Sequence, residues 1–361
     1  MNNQPSHRNQ SNTTQTDCSL DLHFGFRSVQ PWKIYSLLGL LTVVMFLLFG
    51  YLNKNFESHR QYFAFSLAYS KASKEPGGED AADLISKLKY HGLWKLPSSG
   101  KIPPFFIKTY PVDLYTINDI NVRKRVFLHS LLPQALLVRQ EALQRRARLE
   151  TVLSMIDCPL EKLDFGMESE GQCSWRNSVA EEDIKFIRNL CARYRTSSAE
   201  ELLGRVNAVP TSIILAQGAL ESSWGASRFT REGNSIFGMW TWKTAGITPA
   251  RREEGKTHRV KIYDSILDSV RAYQLTLNRF EPYDQFRQLR LQTDDPLILA
   301  DGLSSYSERG EEYVAEIKKI ITSNDLQKYD KCFLTTDMTP PQYLKSAPAS
   351  ISSDKPKRAS M

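Results

Sequence analysis

Between Thr211 and Gly225 the chain contains Ile213-Ile-Leu-Ala-Gln-Gly-Ala-Leu-Glu-Ser-Ser-Trp-Gly225, an apolar, small-residue run with one acid, Glu221, and a Trp-Gly close behind it. Those residue types predict a helix that starts near Thr211. It breaks at Gly225, where the missing Cβ lets the chain turn. Glu221 then falls in the last turn, where the peptide dipoles leave partial negative charge and disfavour an anion. An apolar neighbour such as Trp224 opposes ionisation further by desolvation. Both effects raise a carboxyl pKa, as a general acid working near neutral pH requires. The same residues also fit a plainer reading, a helix that ends in an exposed glutamate.

The segment that follows separates the two readings. Arg228-Phe-Thr-Arg-Glu-Gly-Asn-Ser-Ile-Phe-Gly-Met-Trp-Thr-Trp242 supplies a polar loop, then Asn234, Phe237-Gly238 and a cluster of aromatics. Ala-Leu-Glu-Ser-x-Trp-Gly followed by Asn-x-x-Phe-Gly resembles the glucosaminidase domains of bacterial peptidoglycan hydrolases, including the flagellar muramidase-like enzymes of the lysozyme-like superfamily. Gly302-Leu-Ser-Ser-Tyr-Ser-Glu-Arg-Gly-Glu-Glu-Tyr-Val314 is similar to that family's later block. Upstream, Arg123-Lys-Arg-Val-Phe127 and Leu131-Leu-Pro133 resemble the Bax-type, membrane-associated subgroup. The core likeness covers about residues 205 to 322, and the subgroup likeness carries it back to about 105. The chain departs from the family in having Ser222-Ser223 for Ser-Gly, Gly218 where Ala is common, and Ser304-Ser305-Tyr306 for Gly-Tyr-Ala. These swaps keep the residues beside the acid small.

The resemblance implies a mainly α fold: a lysozyme-like helical domain with a small β-hairpin lobe, preceded by a helical region and one N-terminal transmembrane helix. It implies cleavage of an N-acetylglucosaminyl bond in peptidoglycan glycan strands, an endo-β-N-acetylglucosaminidase activity. Glycoside hydrolysis needs a proton for the leaving oxygen and stabilisation of an oxocarbenium-like centre. Glu221 is the candidate acid. The second group is sought on the overhanging lobe at Glu253 or Glu254, with Glu232 a third candidate; failing these, the substrate's own N-acetyl group serves. Tyr306 matches the family's functional tyrosine, placed to hold the N-acetyl group or the attacking water, although a structural hydroxyl is the competing reading. Trp224, Asn234, Phe237, Trp240 and Trp242 are the substrate-binding candidates. Asn234 and Phe237-Gly238 are expected to shape the turn beneath the cleft, and Trp240 and Trp242 to offer flat faces to sugar rings. Arg252, His258 and Arg259 face peptide-stem carboxylates in this reading. Two rivals remain: a lytic transglycosylase using the same fold and a single acid, and a glycan-binding envelope protein without catalysis.

Ile34 to Leu52 holds no charged residue. At 1.5 Å per residue, roughly 20 apolar residues cross a bilayer core, so this run is long enough. Trp32, Tyr35 and Tyr51 mark its ends as interfacial rings do. The exit through Gly50-Tyr-Leu-Asn-Lys54 lacks a small-residue cleavage site, which favours an uncleaved anchor over a signal peptide. Positive charges flank both ends, so orientation follows from the resemblance: a single-pass bacterial inner-membrane protein whose catalytic domain is periplasmic. The net charge of +7 suits an acidic partner such as wall peptides or anionic lipid. No nucleic-acid module, phosphate loop or metal-ligand spacing is found, so no nucleic-acid partner, metal or cofactor is expected; further envelope partners stay unidentified. Cys158, Cys173, Cys191 and Cys332 follow the anchor, an even number in an exported region that permits three pairings. Cys158 with Cys173 is favoured because it closes a short loop containing Gly166 and Gly171.

The expected organisation is a disordered leader (1–31), the anchor (32–53), a linker with a short helix (54–82), a helical accessory region (83–178), the catalytic domain (179–332) and a disordered tail (333–361). Within the accessory region, 83–118 reads as irregular with a short strand near Phe105–Lys108. An amphipathic helix follows over about 119–156, kinked or split by Pro133, and its arginines from Arg139 to Arg148 read as a solvated face. Further helices are expected over 180–194, 200–206, 266–279, 285–292, 296–302 and 311–322, with Asp264-Ser265 capping the third. Residues 243–263 read as a hairpin or loop over the site.

Overall fold

A computed structural model describes residues 78–166, 173, 175–250, 252 and 254–335, together with Thr42, Val44 and Met45. The chain divides into two units, Met1–Arg60 and Gln61–Met361, and the architecture below is that of the second. The expected anchor at 32–53 lies outside the described residues except for Thr42, Val44 and Met45, which are helical. No helix of the described residues is long and apolar enough to cross a membrane. The leader and most of the tail also fall outside.

The elements run α1 (Ala81–Tyr90), β1 (Lys101–Ile102), α2 (Ile120–Leu153), α3 (Glu181–Tyr194), α4 (Ala199–Arg205), α5 (Thr211–Ser222), α6 (Arg228–Gly233), β2 (Trp240–Thr241), β3 (Gly246–Ile247), β4 (Arg259–Lys261), α7 (Ile266–Arg279), α8 (Asp284–Leu289), α9 (Pro296–Leu299), α10 (Glu311–Ser323) and β5 (Phe333–Leu334). Two 3₁₀ helices, Ala300–Tyr306 and Leu326–Lys331, flank α10. The fold is therefore mainly helical with very little sheet. β2, β4 and β3 form an antiparallel lobe in that order, with Trp240 opposite Val260 and Ile247 opposite the same residue. β1 and β5 pair in parallel, Lys101 with Phe333.

α2 carries the core. From Val126 to Val138 every residue is buried, because α5 and α7 pack along it and α1 and β5 cover the rest. This corrects the expectation of an amphipathic helix: a helix enclosed on all sides needs no polar face. Most of the polar groups that remain in this stretch are bonded internally, the exception being Gln134 Oε1, which has no partner among the described residues. Ser130 Oγ donates to the Val126 carbonyl at 2.7 Å, and His129 Nδ1 lies 2.6 Å from the Leu93 carbonyl. Pro133 does not divide the helix, which continues through it under the surrounding packing. The arginines beyond Arg139 are not a free solvated face either. Arg146 donates to the Leu203 carbonyl at 2.6 Å and pairs with Glu150 at 2.8 Å, and Arg148 pairs with Asp183 at 2.8 Å. They bind the end of α2 to α3 and α4 over a second apolar cluster that includes Leu149, Val152, Trp175, Ile187 and Leu202. Beside this cluster Cys158 and Cys173 form the favoured disulfide, while Cys191 and Cys332 are free.

Two further expectations are corrected. The strand of the 83–118 region lies at Lys101–Ile102, not at Phe105–Lys108, because Pro103 and Pro104 have no N–H to extend the ladder. Residues 81–90 form a regular helix, capped by Asp80, whose side chain accepts from the Asp83 amide, and held by buried Leu84 and Leu88 one turn apart.

α5 begins at Pro210, whose side chain cannot cap it. The cap comes from 118 residues downstream: Asp330 accepts the Ser212 amide at 2.8 Å and the Ser212 hydroxyl at 2.6 Å, and also bonds the Thr211 amide. Removing these acceptors strands buried donors at the start of the helix. We expect Asp330→Ala to lower stability by about 1–3 kcal/mol in urea denaturation, with Asp330→Asn, which keeps one acceptor, losing less.

Candidate functional site

α5 presses against α2 where Gly218 stands. A Cβ there would lie 3.1 Å from Leu131 Cδ2 and 3.2 Å from Ile236 Cγ2, so the close approach leaves no room for an easy methyl. The helix then ends abruptly. Ser223 and Trp224 both adopt left-handed backbone (φ 51° and 58°), and the Trp224 amide closes on the Ala219 carbonyl at 2.8 Å. Non-glycine residues in this region cost of order 1 kcal/mol or more each, so two in succession mark a strained exit directly behind Glu221. Ser222 helps to hold it, its Oγ accepting the Gly225 amide at 2.8 Å.

Glu221 sits at the end of a buried hydrogen-bonded chain. Tyr273 donates its hydroxyl to Gln217 Oε1, Gln217 Nε2 donates to the Tyr313 hydroxyl at 2.7 Å, and Tyr313 in turn donates to the Glu221 carboxylate. Gln217, Tyr273 and Tyr313 are all fully enclosed. Burial pushes the Glu221 carboxyl above its ordinary value. The Tyr313 bond and the Arg309 charge pull the other way, and the Glu316 charge adds to the rise. Its negative charge is felt by a ring of phenols, Tyr273, Tyr283, Tyr306 and Tyr313. The apolar surroundings expected from Trp224 are thus met by tyrosines. Trp224 packs edge-on to Phe127 and beneath Lys124, whose Nζ lies 4.8 Å from the ring centre.

The other candidates fall into three groups. Tyr306 and Phe237-Gly238 join Glu221. Tyr306 donates to the Phe237 carbonyl at 3.0 Å and stacks on Tyr313, Phe237 stacks on Tyr273 at 4.0 Å, and Gly238 (φ +61°) backs the carboxylate, a Cβ there lying 3.8 Å from Glu221 Oε2. Asn234 is a structural turn residue: left-handed at the end of α6, it donates to the Tyr263 carbonyl at 3.0 Å. Trp240 and Trp242 project from the lobe. They are 54% and 62% exposed, large for tryptophan, meet edge to face, and Trp240 stacks on His258 at 4.2 Å. Arg252 donates to the His258 carbonyl.

The second acid is not brought to the first. Glu254 stands exposed at the turn of the lobe, with no hydrogen bond, ion pair or electrostatic interaction to Glu221 among the described residues. Glu253 lies outside the described residues. Glu232 is exposed and pairs with Arg228 at 3.7 Å on α6. Arg309 bonds Glu316 at 2.7 Å instead of its neighbour Glu308. Gln217 and Tyr313 were not among the predicted site residues. The available signal was Gln217 itself, the one amide in the apolar run of α5, one helical turn before Glu221 and so on the same face.

Residues 196–326 match the glucosaminidase family, described as mannosyl-glycoprotein endo-beta-N-acetylglucosaminidase. That region is similar to the matching part of a protein described as a peptidoglycan hydrolase. The chain is 34% identical over 118 residues to Protein bax of Escherichia coli (strain K12), covering 31% of this chain and 42% of that protein. To Peptidoglycan hydrolase FlgJ of Salmonella typhimurium it is 32% identical over 102 residues, covering 25% and 32%. The likeness thus spans less than half the length of either relative. The crystal structure of the catalytic domain of the autolysin Auto from Listeria monocytogenes aligns over 42% of this chain and 89% of its own, with 19% identity and a TM-score of 0.26.

The raised carboxyl of Glu221 has a sign that stability measurements can read. A carboxyl whose folded value exceeds its ordinary 4.5 favours the folded state below that pH, and the contribution is lost as pH rises through the folded value. The stability of Glu221→Gln relative to the unsubstituted chain should therefore increase from pH 4 towards neutrality. Asp330, also raised by burial, is common to both proteins and cancels. A difference that stays constant with pH would contradict the assignment.

Proposed function

We propose that this chain is a membrane-anchored glycosidase that cleaves an N-acetylglucosaminyl bond in peptidoglycan, with Glu221 as general acid in a lysozyme-like cleft. The observation that carries the reading is the half-buried carboxyl of Glu221 at the end of α5, bonded by Tyr313 and raised by burial. The likeness to the peptidoglycan hydrolase FlgJ supports the choice of polymer.

In this reading the protonated form of Glu221, favoured by burial, gives its proton to the leaving oxygen as the glycosidic bond breaks. Trp240 and Trp242 present flat apolar faces to sugar rings on the lobe side. Tyr306 spends its hydroxyl proton on the Phe237 carbonyl, which leaves the oxygen as an acceptor for the N–H of the substrate's N-acetyl group. That amide, held there, is set to support the developing positive centre; Glu254 on the lobe is the alternative, acting through a water once sugar fills the cleft.

Glu221→Gln should fold normally and lower the turnover of purified sacculi by about 10²–10⁴-fold, the usual worth of a positioned proton donor. The unsubstituted chain should lose turnover as pH rises past the raised carboxyl value, and its products should carry reducing N-acetylglucosamine ends. Full activity in Glu221→Gln would remove the acid assignment, and anhydromuramyl ends would favour a lytic transglycosylase.

The uncharged run Ile34–Leu52 supports a single anchor, and the likeness to a peptidoglycan hydrolase supports a cytoplasmic N-terminus with the domain on the periplasmic side. A reporter active only outside the cytoplasm, fused after residue 335, should give signal. A cytoplasmic signal would contradict the wall as substrate.

A further inference from the structure

Trp224 and Lys124 border a groove that the chemistry above does not use. It occupies about 650 Å³ between the last turn of α5 and α10. Leu220, Trp224 and Ile320 form its apolar floor, and Lys124, Glu316 and Lys319 its charged walls. Leu220 precedes Glu221 in the chain, Ser223 follows it by two residues, and Glu316 both lines the groove and acts on the Glu221 carboxyl. Glu316 is neutralised by Arg309 at 2.7 Å. Lys124 lies over the Trp224 ring, Lys319 is exposed, and neither has a carboxylate within ion-pair distance among the described residues. At Lys124 and Asn324 the groove meets a wider cavity of about 1900 Å³, where the cations, Arg125 and Arg139 among them, outnumber the carboxylates.

A bare sugar chain gains little from free lysines, and aromatic faces for it already stand on the lobe. A lipid surface is flat, whereas these lysines line a recess. What fits a recess with an aliphatic floor and cationic walls is a short peptide with small apolar side chains and free carboxylates. Peptide stems on a wall glycan have that character.

We propose that this groove is a subsite for the carboxylate-bearing peptide stems of the wall polymer, so that the domain binds peptide-substituted glycan in preference to the bare sugar chain. The inference rests on the wall polymer being the substrate.

The test is equilibrium binding by the full-length chain carrying Glu221→Gln, which removes turnover from the measurement. The probes are soluble glycan chains with tetrapeptide stems and the same chains stripped of peptide by an amidase. Stem-bearing chains should bind roughly three- to tenfold tighter, the worth of two exposed ion pairs, and the margin should shrink as salt is raised. Adding Lys124→Gln and Lys319→Gln should abolish the margin, while Lys124→Arg with Lys319→Arg should keep it. Equal binding of the two probes, or a margin that survives the Gln pair, overturns the proposal. So does a loss shared by both pairs with a lowered melting temperature, which would make the lysines structural. Phosphatidylglycerol vesicles that occupy the groove in place of stem-bearing chains overturn it in favour of lipid. Equal binding of both chains removes this inference and leaves the wall reading standing, whereas failure to bind either chain removes both.

Discussion

The line of contact between α5 and α2 decides where Glu221 can sit. Gly218 lets the two helices approach until Leu131 and Ile236 leave no room for another methyl, and α2 can serve as the rigid partner because residues 126–138 are buried on every side. Close-packed interiors transmit small displacements. The position of Glu221, one helical turn past this contact, is therefore fixed by the core of the domain, and the loops contribute little to it. The left-handed exit through Ser223 and Trp224 then costs free energy that the same packing offsets.

Around that fixed point the polar groups form a sequence instead of a cluster. Tyr273 holds Gln217, Gln217 holds Tyr313, and Tyr313 holds Glu221. Each donor has one acceptor, so the chain sets a direction as well as a position for the carboxylate. A buried network with every member satisfied specifies one geometry, whereas a half-satisfied one would be costly. Tyr306 extends the same order to the Phe237 carbonyl, so the backbone beside Gly238 and the aromatic wall are located together.

Much of this was legible in the sequence, and the omissions have physical causes. The α5 run, the Ser265 cap of α7, the hairpin lobe and the disulfide Cys158–Cys173 follow from local signals: small-residue runs, a side-chain acceptor at a helix start, breakers between short strands, and the shortest loop. The buried middle of α2 was misread because periodicity reports a helix's two faces only when one of them meets water, and here neither does. Strand β1 was displaced because its partner, β5, lies at the far end of the sequence, where composition reads as tail. In the site, Glu221 and Tyr306, which the structure brings together, are the candidates that motifs supply. Gln217 and Tyr313 are not, because their roles depend on a contact between helices 96 residues apart. Trp224 was given the right neighbourhood and the wrong direction, since sequence spacing does not say to which side a residue turns after a left-handed exit.

The cap that Asp330 places on α5 also bears on the order in which the site is made. Ribosomes deliver the chain from its N-terminus, so Glu221 and its helix emerge well before the residue that satisfies the helix's first amides, 118 positions beyond Ser212. The strand that joins Lys101 to Phe333 closes just as late. A nascent chain therefore holds every residue of the polar sequence from Tyr273 to Glu221 while still lacking its closing contacts, and an aligned acid appears only as synthesis nears that end. Under the function proposed above, late assembly of this kind keeps the cleaving site unformed until its closing contacts exist.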